Sequence, residues 1–375
     1  MLEQKGIICL EQFFLDKYHY QYIDNEQLVS QPFIEYEGVG ATAMFWIKDG
    51  DTKYLYKEVE DGSYAWLGEI LSSEIAKILN IPCAEYRLVT LNGTVGILSK
   101  NFLKENQTLV LGAEIIQRVL DKYPYLKGKS VFDDELFLEL YNIPENLMKV
   151  KWEHRRKYLL NNLNNIEQIW SILDIYCDLQ HIKKDNLALN MNHLVKVFFF
   201  DLLTLQADRH IENWAFLEIN REGESMLIPS PLFDQAASFG LVCHNFDKRV
   251  QNFFNSLENY QRVGHEKSEQ QLISNLYKER LLLTPSEDAI INAKERRRKN
   301  NLEVLNYFLE VSDFDDINTL LGYIETLENI GMENIIESIE SFYNISIDPK
   351  VHKFICDIYS FNLKFLKRNI YQKRS

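Results

Sequence analysis

The chain has 375 residues, with 41 Lys and Arg against 55 Asp and Glu, giving a formal net charge of −14. Such acidity excludes nucleic-acid binding through bulk charge, and the 46% hydrophobic share excludes a disordered chain. Scarce Gly (15) and Pro (8) argue against a turn-rich all-β sandwich and for long helices. The longest apolar run, Leu194 to Leu205, contains Lys196 and Asp201, so no membrane span is expected. Met1-Leu2-Glu3-Gln4-Lys5 is not a basic leader and Gly6 to Leu10 is too short for a signal core, which points to a cytoplasmic protein. The cysteines (Cys9, Cys83, Cys177, Cys243, Cys356) are odd in number and far apart, without Cys-x-x-Cys. They read as buried free thiols and not as a disulfide framework or a zinc site.

Strand-like runs come first. Ala43 to Ile47 and Lys53 to Lys57 flank the polar turn Lys48-Asp49-Gly50-Asp51 and predict a β-hairpin. Leu67, Leu71, Ile75 and Leu79 then recur every fourth residue, with Ile70 and Ile78 widening the stripe, so a helix follows, stopped by Asn80 and Pro82. Tyr86 to Thr90 and Val95 to Leu98 flank Asn92-Gly93, a strong hairpin signal. The order is ββ-α-ββ, and residues 98–106 read as a short hinge. From about Leu109 onward helices are expected to dominate. Ile166, Ile169, Trp170, Leu173 and Cys177 form one amphipathic face. Leu194 to Leu205 is apolar nearly all round, which predicts a helix buried in a larger lobe. Trp214 to Ile219 and Met226 to Ile228 are strand-like. Asp348-Pro349 offers an N-cap and a first helical position. The run from Lys294 to Lys299 carries five basic residues and reads as a solvated helix face or a contact for an acidic partner.

The chemistry concentrates in Ala207-Asp208-Arg209-His210-Ile211-Glu212-Asn213-Trp214, between the buried helix and the second strand pair. Asn213 follows Asp208 by five residues, and Asp234 follows it by 26, after a strand–turn–strand unit. Phosphoryl transfer needs such a set: one carboxylate takes the proton of the attacking hydroxyl, while an amide oxygen and a second carboxylate hold Mg²⁺ through hard oxygens. The Asp-x₄-Asn spacing matches the catalytic loop of protein kinases. Competing motifs are missing. There is no H-E-x-x-H, no G-x-S-x-G, and Gly128-Lys129-Ser130 lacks the first Walker glycine, with Tyr123 in its place.

Asp208-Arg209-His210-x-x-Asn213 followed by Leu232-Phe233-Asp234 resembles the HipA-like serine/threonine kinases, and within them the compact CtkA-like branch, which lacks an extra N-terminal subdomain. The resemblance runs from about Gly38 to Gly240; it is specific at this core and looser before it. The same core occurs in phosphoinositide 3- and 4-kinases. It implies an α+β, bilobal protein-kinase-like fold, with a small β-rich N-lobe over residues 1–105 and a large helical C-lobe over residues 106–375. It also implies that Asp208 is the catalytic base, that Asn213 and Asp234 are Mg²⁺ ligands, and that Arg209 and His210 brace the loop. Where protein kinases have Asp-Phe-Gly, this chain reads Asp234-Gln235-Ala236-Ala237-Ser238-Phe239-Gly240, which leaves metal number and loop geometry open.

The upstream unit should supply the nucleotide clamp. Lys57 ends a strand-like run, where a kinase lysine reaches the α- and β-phosphates and pairs with a helix glutamate. Glu69 is preferred as that partner, since its spacing to Ile75-Ala76-Lys77 resembles the family's run; Glu74 is the alternative. Gly38-Val39-Gly40-Ala41-Thr42 suits a backbone arch over phosphates and equally an ordinary hairpin turn. The backbone of Leu98 to Phe102 would meet adenine. The leading expectation is ATP- and Mg²⁺-dependent phosphorylation of a protein Ser or Thr hydroxyl. The alternatives are the same fold acting on a small molecule or phosphoinositide headgroup, and a pseudokinase-type binding module. The resemblance also brings in a DNA-binding partner protein, as in some HipA-like systems, without direct nucleic-acid binding by this chain.

Overall fold

The structure, a computed structural model, describes residues 8–9, 44–49, 52–59, 62–91, 94–121, 166–206, 208–209, 211–221, 224–241, 246–263 and 314–374. The glycine pair Gly38 and Gly40, the basic run at 294–299 and the segment around Gly128 lie outside these residues, as do His210 and Cys243. Of the thiols described, Cys177 is buried and Cys83 and Cys356 are partly so, and all three are free.

The first sheet has the order β1-β4-β5-β3-β2. Its strands are β1 (Ile8–Cys9), β2 (Met44–Asp49), β3 (Thr52–Glu58), β4 (Tyr86–Leu91) and β5 (Thr94–Lys100). The two expected hairpins are present. Asp49 pairs with Thr52, and Leu91 pairs with Thr94 on either side of Asn92-Gly93. Between them runs helix α1 (Ala65–Ile78), which buries Leu67, Ile70, Leu71, Ile75 and Ala76. Each buried Leu or Ile contributes about 1.5–3 kcal/mol, so packing and not helix propensity holds α1. The ββ-α-ββ reading gains one strand: β1 adds to the edge in parallel with β4.

The second sheet has the order β6-β8-β9-β7. Its strands are β6 (Gln107–Leu111), β7 (Ile182–Lys183), β8 (Ala215–Arg221) and β9 (Glu224–Pro229). Here the structure departs from the helical expectation. The chain from Gln107 is a strand because its edge pairs with β8, more than a hundred residues later, and helix begins only at Gly112. Helices α2 (Gly112–Asp121), α3 (Ile166–Leu179) and α4 (Leu187–Thr204) follow, then α5 (Phe246–Val263), α6 (Phe314–Ile330), α7 (Met332–Tyr343) and α8 (Pro349–Arg374). Helix α4 buries Leu194, Val197, Phe198, Phe199, Phe200, Leu202 and Leu203, as its all-round apolarity predicts. Among the described residues, no helix is long and apolar enough to cross a membrane.

The sheet-rich part and the helical part are clasped together. Ala84 donates its N–H to the Leu232 carbonyl at 2.7 Å, and Leu232 donates to the Pro82 carbonyl at 2.9 Å. This short parallel bridge fastens the segment after α1 to the strand that leads into Asp234.

Candidate active site

Helix α4 ends when Leu205 takes a left-handed conformation (φ 55°) and turns the chain into the Asp208 loop. The loop is braced by Arg209, which is fully buried. Its guanidinium grips the α4 carboxylate of Asp201 through two bonds, Nε to Oδ2 at 2.9 Å and Nη2 to Oδ1 at 2.7 Å. Arg209 Nη1 also donates to the carbonyls of Asn213 and, at 3.3 Å, of Phe233. A single planar cation thus ties α4, the loop and the approach to Asp234.

Asn213 donates Nδ2 to the Asp208 carbonyl at 2.6 Å, which fixes the amide and leaves its oxygen as a hard donor. The β8–β9 hairpin then returns the chain to Asp234, itself left-handed (φ 54°). Asp234 is held from both sides: its N–H donates to the Tyr86 hydroxyl at 2.9 Å, and its carbonyl accepts from Gln206 Nε2 at 3.0 Å.

Three charged side chains meet across the two halves. Lys57 Nζ lies 2.8 Å from Asp234 Oδ1 and 3.7 Å from Glu69 Oε1. Glu69, only 1% exposed, accepts the Gln235 N–H on Oε2 at 2.6 Å and a hydrogen bond from Tyr86. Burial pushes its carboxyl up to about 7; the charge on Asp234 pushes the same way, and Lys57 opposes it. The alternative, Glu74, instead pairs with Lys77 on the exposed side of α1. Gly68 brings α1 this close: a Cβ there would sit 2.6 Å from the Ala236 carbonyl oxygen.

The donor set suits a hard cation. Asn213 and Asp234 offer an amide oxygen and a carboxylate, and Mg²⁺ is usually held by one or two such groups together with substrate phosphates and water. No group of three or more His, Cys, Asp or Glu among the described residues is arranged to hold a metal ion. Phe102, in the connection between the sheets, stands 6.4 Å ring to ring from Phe233 just before Asp234.

The structure therefore gathers Lys57, Glu69 and Asp234 in direct contact. It places Asp208 and Asn213 on one braced loop, linked to Asp234 through Gln206 and Arg209. The sequence pattern does not single out Gln206, Gln235, Tyr86 or Asp201. A buried charge within the apolar run 194–205 is the available signal for Asp201; nothing local marks the other three.

No family model matches the sequence, and no curated protein does either. Among solved structures, the fold is similar to that of the proinflammatory kinase CtkA of Helicobacter pylori, with a TM-score of 0.55 at 14% identity, over 90% of this chain and 93% of that one. HipA of Shewanella oneidensis, in its complex with HipB and operator DNA, matches with a TM-score of 0.35 at 12% identity, over 95% of this chain and 73% of that one. The fold assignment rests on the first of these. With its small sheet-rich part and its larger helical part, the chain has the α+β, bilobal kinase fold of the CtkA type.

Proposed function

We propose that this chain is an ATP- and Mg²⁺-dependent phosphotransferase whose acceptor is a Ser or Thr hydroxyl of a protein. The observation that carries the reading is the meeting of Lys57, Glu69 and Asp234 beside the braced Asp208–Asn213 loop. Lys57, held by Glu69, puts its charge against the α- and β-phosphates. Asn213 and Asp234 would hold Mg²⁺, which neutralises charge on the β- and γ-phosphates when bound. Asp208 orients the acceptor hydroxyl and takes its proton. The hydroxyl oxygen bonds to the γ-phosphorus, the bond from that phosphorus to the β–γ bridging oxygen breaks, and ADP leaves. In this reading residues 1–105 act as the nucleotide clamp, with Gly38 and Gly40 in the phosphate arch. A DNA-binding partner protein remains part of the reading through the family resemblance alone.

The test is incubation with γ-labelled ATP and Mg²⁺, with Asp208→Asn in parallel. Label on a protein band, lost by at least about a hundredfold in the variant while folding is kept, supports the reading. Label only on a lipid or metabolite would move the acceptor class, and no label anywhere would leave a nucleotide-binding or structural module.

A further inference from the structure

We infer that the buried amide pair Gln206–Gln235 is a positioning device that sets the two aspartates of the site relative to each other and reports the place of α1 to both. The inference rests on the phosphotransferase reading above. Gln206 and Gln235 are both fully buried. Gln206 Nε2 donates to the Asp234 carbonyl at 3.0 Å and to Gln235 Oε1 at 3.2 Å, while its Oε1 accepts the Asp208 N–H at 3.2 Å. One rigid, planar group therefore holds the backbone of both aspartates.

The orientation of that amide is forced. Turned over, it would set its NH₂ against the Asp208 N–H and its oxygen against two other oxygens. Gln235 continues the line: its N–H donates to Glu69 Oε2 at 2.6 Å and its Nε2 to the Phe233 carbonyl at 3.2 Å. From Asp208 to Glu69 the path runs through the two glutamines and three hydrogen bonds, and Glu69 stands 3.7 Å from Lys57.

The residue type follows from the chemistry. The position must donate to a carbonyl and accept from an N–H while adding no charge between carboxylates. A glutamate at 206 would lose the donors and crowd Asp234 with a third negative group. An apolar residue would leave the Asp208 N–H and the Asp234 carbonyl without this partner, and a polar group that loses its partner away from water is destabilising. Asp234 also sits in the left-handed region, where a non-glycine residue is kept by its surroundings. Its carbonyl is held by Gln206 and its N–H by Tyr86, so releasing the amide removes one of these backbone ties.

The experiment compares wild type, Gln206→Met, Gln235→Met and the double variant. It measures kcat, the KM for ATP, and the Mg²⁺ concentration for half-maximal transfer. Displacing a catalytic group by about 1 Å can cost a hundredfold, so Gln206→Met is expected to lower kcat by about 10- to 100-fold. The Mg²⁺ requirement should rise several-fold, with KM for ATP at saturating Mg²⁺ within about twofold. The double variant should be no worse than the worse single one, because the two amides act as a unit. Asn190→Leu, a buried amide at the opposite end of α4 that bonds the Leu227 carbonyl, is the control: it should lower stability and leave kcat and the Mg²⁺ requirement alone. Folded Gln206→Met and Gln235→Met proteins with wild-type kcat and Mg²⁺ requirement would overturn the inference. Should Gln206→Met fail to fold, Gln235→Met reads the same way, since it removes the acceptor that holds the Gln206 amide in place between the two aspartates. Amide hydrogen exchange at Asp208 in the wild type gives a readout without turnover; slow exchange is expected, and exchange at the rate of an open loop would overturn the positioning role. A wild-type chain that transfers no phosphate would instead sink the phosphotransferase reading, and the exchange measurement would still decide whether the amide holds Asp208.

Discussion

Arg209 is spent entirely on structure, and that has a measurable cost when it is removed. Asp201 and Arg209 are both out of solvent, and each is the other's compensating charge. Replacing one partner of a buried pair leaves an uncompensated charge and costs about 3–5 kcal/mol. Arg209→Met should therefore lower stability to denaturant by that amount. The double variant Asp201→Leu/Arg209→Met should recover much of it, since no charge is then stranded; on the proposed phosphotransferase reading it should still transfer phosphate poorly, because the Asn213 and Phe233 carbonyls have lost their donor. A second residue gives stability a pH dependence. Burial holds the His193 imidazole down at about 4, below the ordinary 6.5, with Lys196 and Arg209 adding to the effect. The unfolded chain takes up a proton near pH 6.5 that the folded chain refuses until about pH 4. His193 thus favours the folded state fully above pH 6.5, and that contribution is lost as pH falls towards 4, by at most about 1.4 kcal/mol per unit. Urea unfolding at pH 7 and pH 5 should show His193→Gln losing about 2 kcal/mol less than wild type over that interval; equal losses would refute the assignment.

At the scale of the element, the question is what holds α1 against the Asp234 loop. Two glycines on two helices separate intrinsic propensity from packing. Alanine in place of a helical glycine gains about 1 kcal/mol where space allows. At Gly322 on α6 a methyl carbon would find nothing within 4 Å, so Gly322→Ala should stabilise by about 0.5–1 kcal/mol. Gly68 faces a backbone carbonyl at 2.6 Å, which cannot swing aside as a side chain would. Overpacking of this kind costs about 1–3 kcal/mol and outweighs the propensity gain. Gly68→Ala should give a net loss of about 1–2 kcal/mol and, on the proposed phosphotransferase reading, a lower transfer rate by moving the adjacent Glu69 off Gln235. Thermal melts of the two alanine variants, run together, should shift in opposite directions. The same contrast explains what can be read in advance. Both hairpins of the first sheet and helices α1, α3 and α4 carry local periods or an Asn-Gly turn, so their residues announce them. Strands β1 and β6 do not, because a two-residue strand and a five-residue edge exist only through partners far along the chain. The Asp208 loop and Asp234 follow a local spacing and are visible. Gln206, Gln235 and Tyr86 act across 28, 166 and 148 residues, and no window of sequence holds both ends.

At the scale of the whole molecule, the C-terminal helices bind the two halves into one body. Helix α7 reaches the first sheet: the Arg87 guanidinium lies 5.4 Å from the Phe342 ring centre, and the Tyr343 hydroxyl is hydrogen-bonded to the Leu88 backbone. Helix α8 reaches the site from beneath, with the Tyr359 ring 6.0 Å from that of Phe239 just past the Asp234 loop. It also completes α4. The last carbonyls of a helix lack intrahelical partners, and Asn362 Nδ2 donates to those of Leu202 at 2.8 Å and Leu203 at 3.2 Å. Since α4 delivers the Asp208 loop, this amide supports the site from some distance without entering its chemistry. Asn362→Leu strands two buried carbonyls and should cost about 1–3 kcal/mol. Because buried residues of both halves belong to one continuous cluster, that loss should appear as a downward shift of a single calorimetric transition, with its enthalpy kept whole. Two separated transitions, with only the later-melting or earlier-melting one moved by the substitution, would mean that the halves unfold independently and that the helical clasp does not couple them.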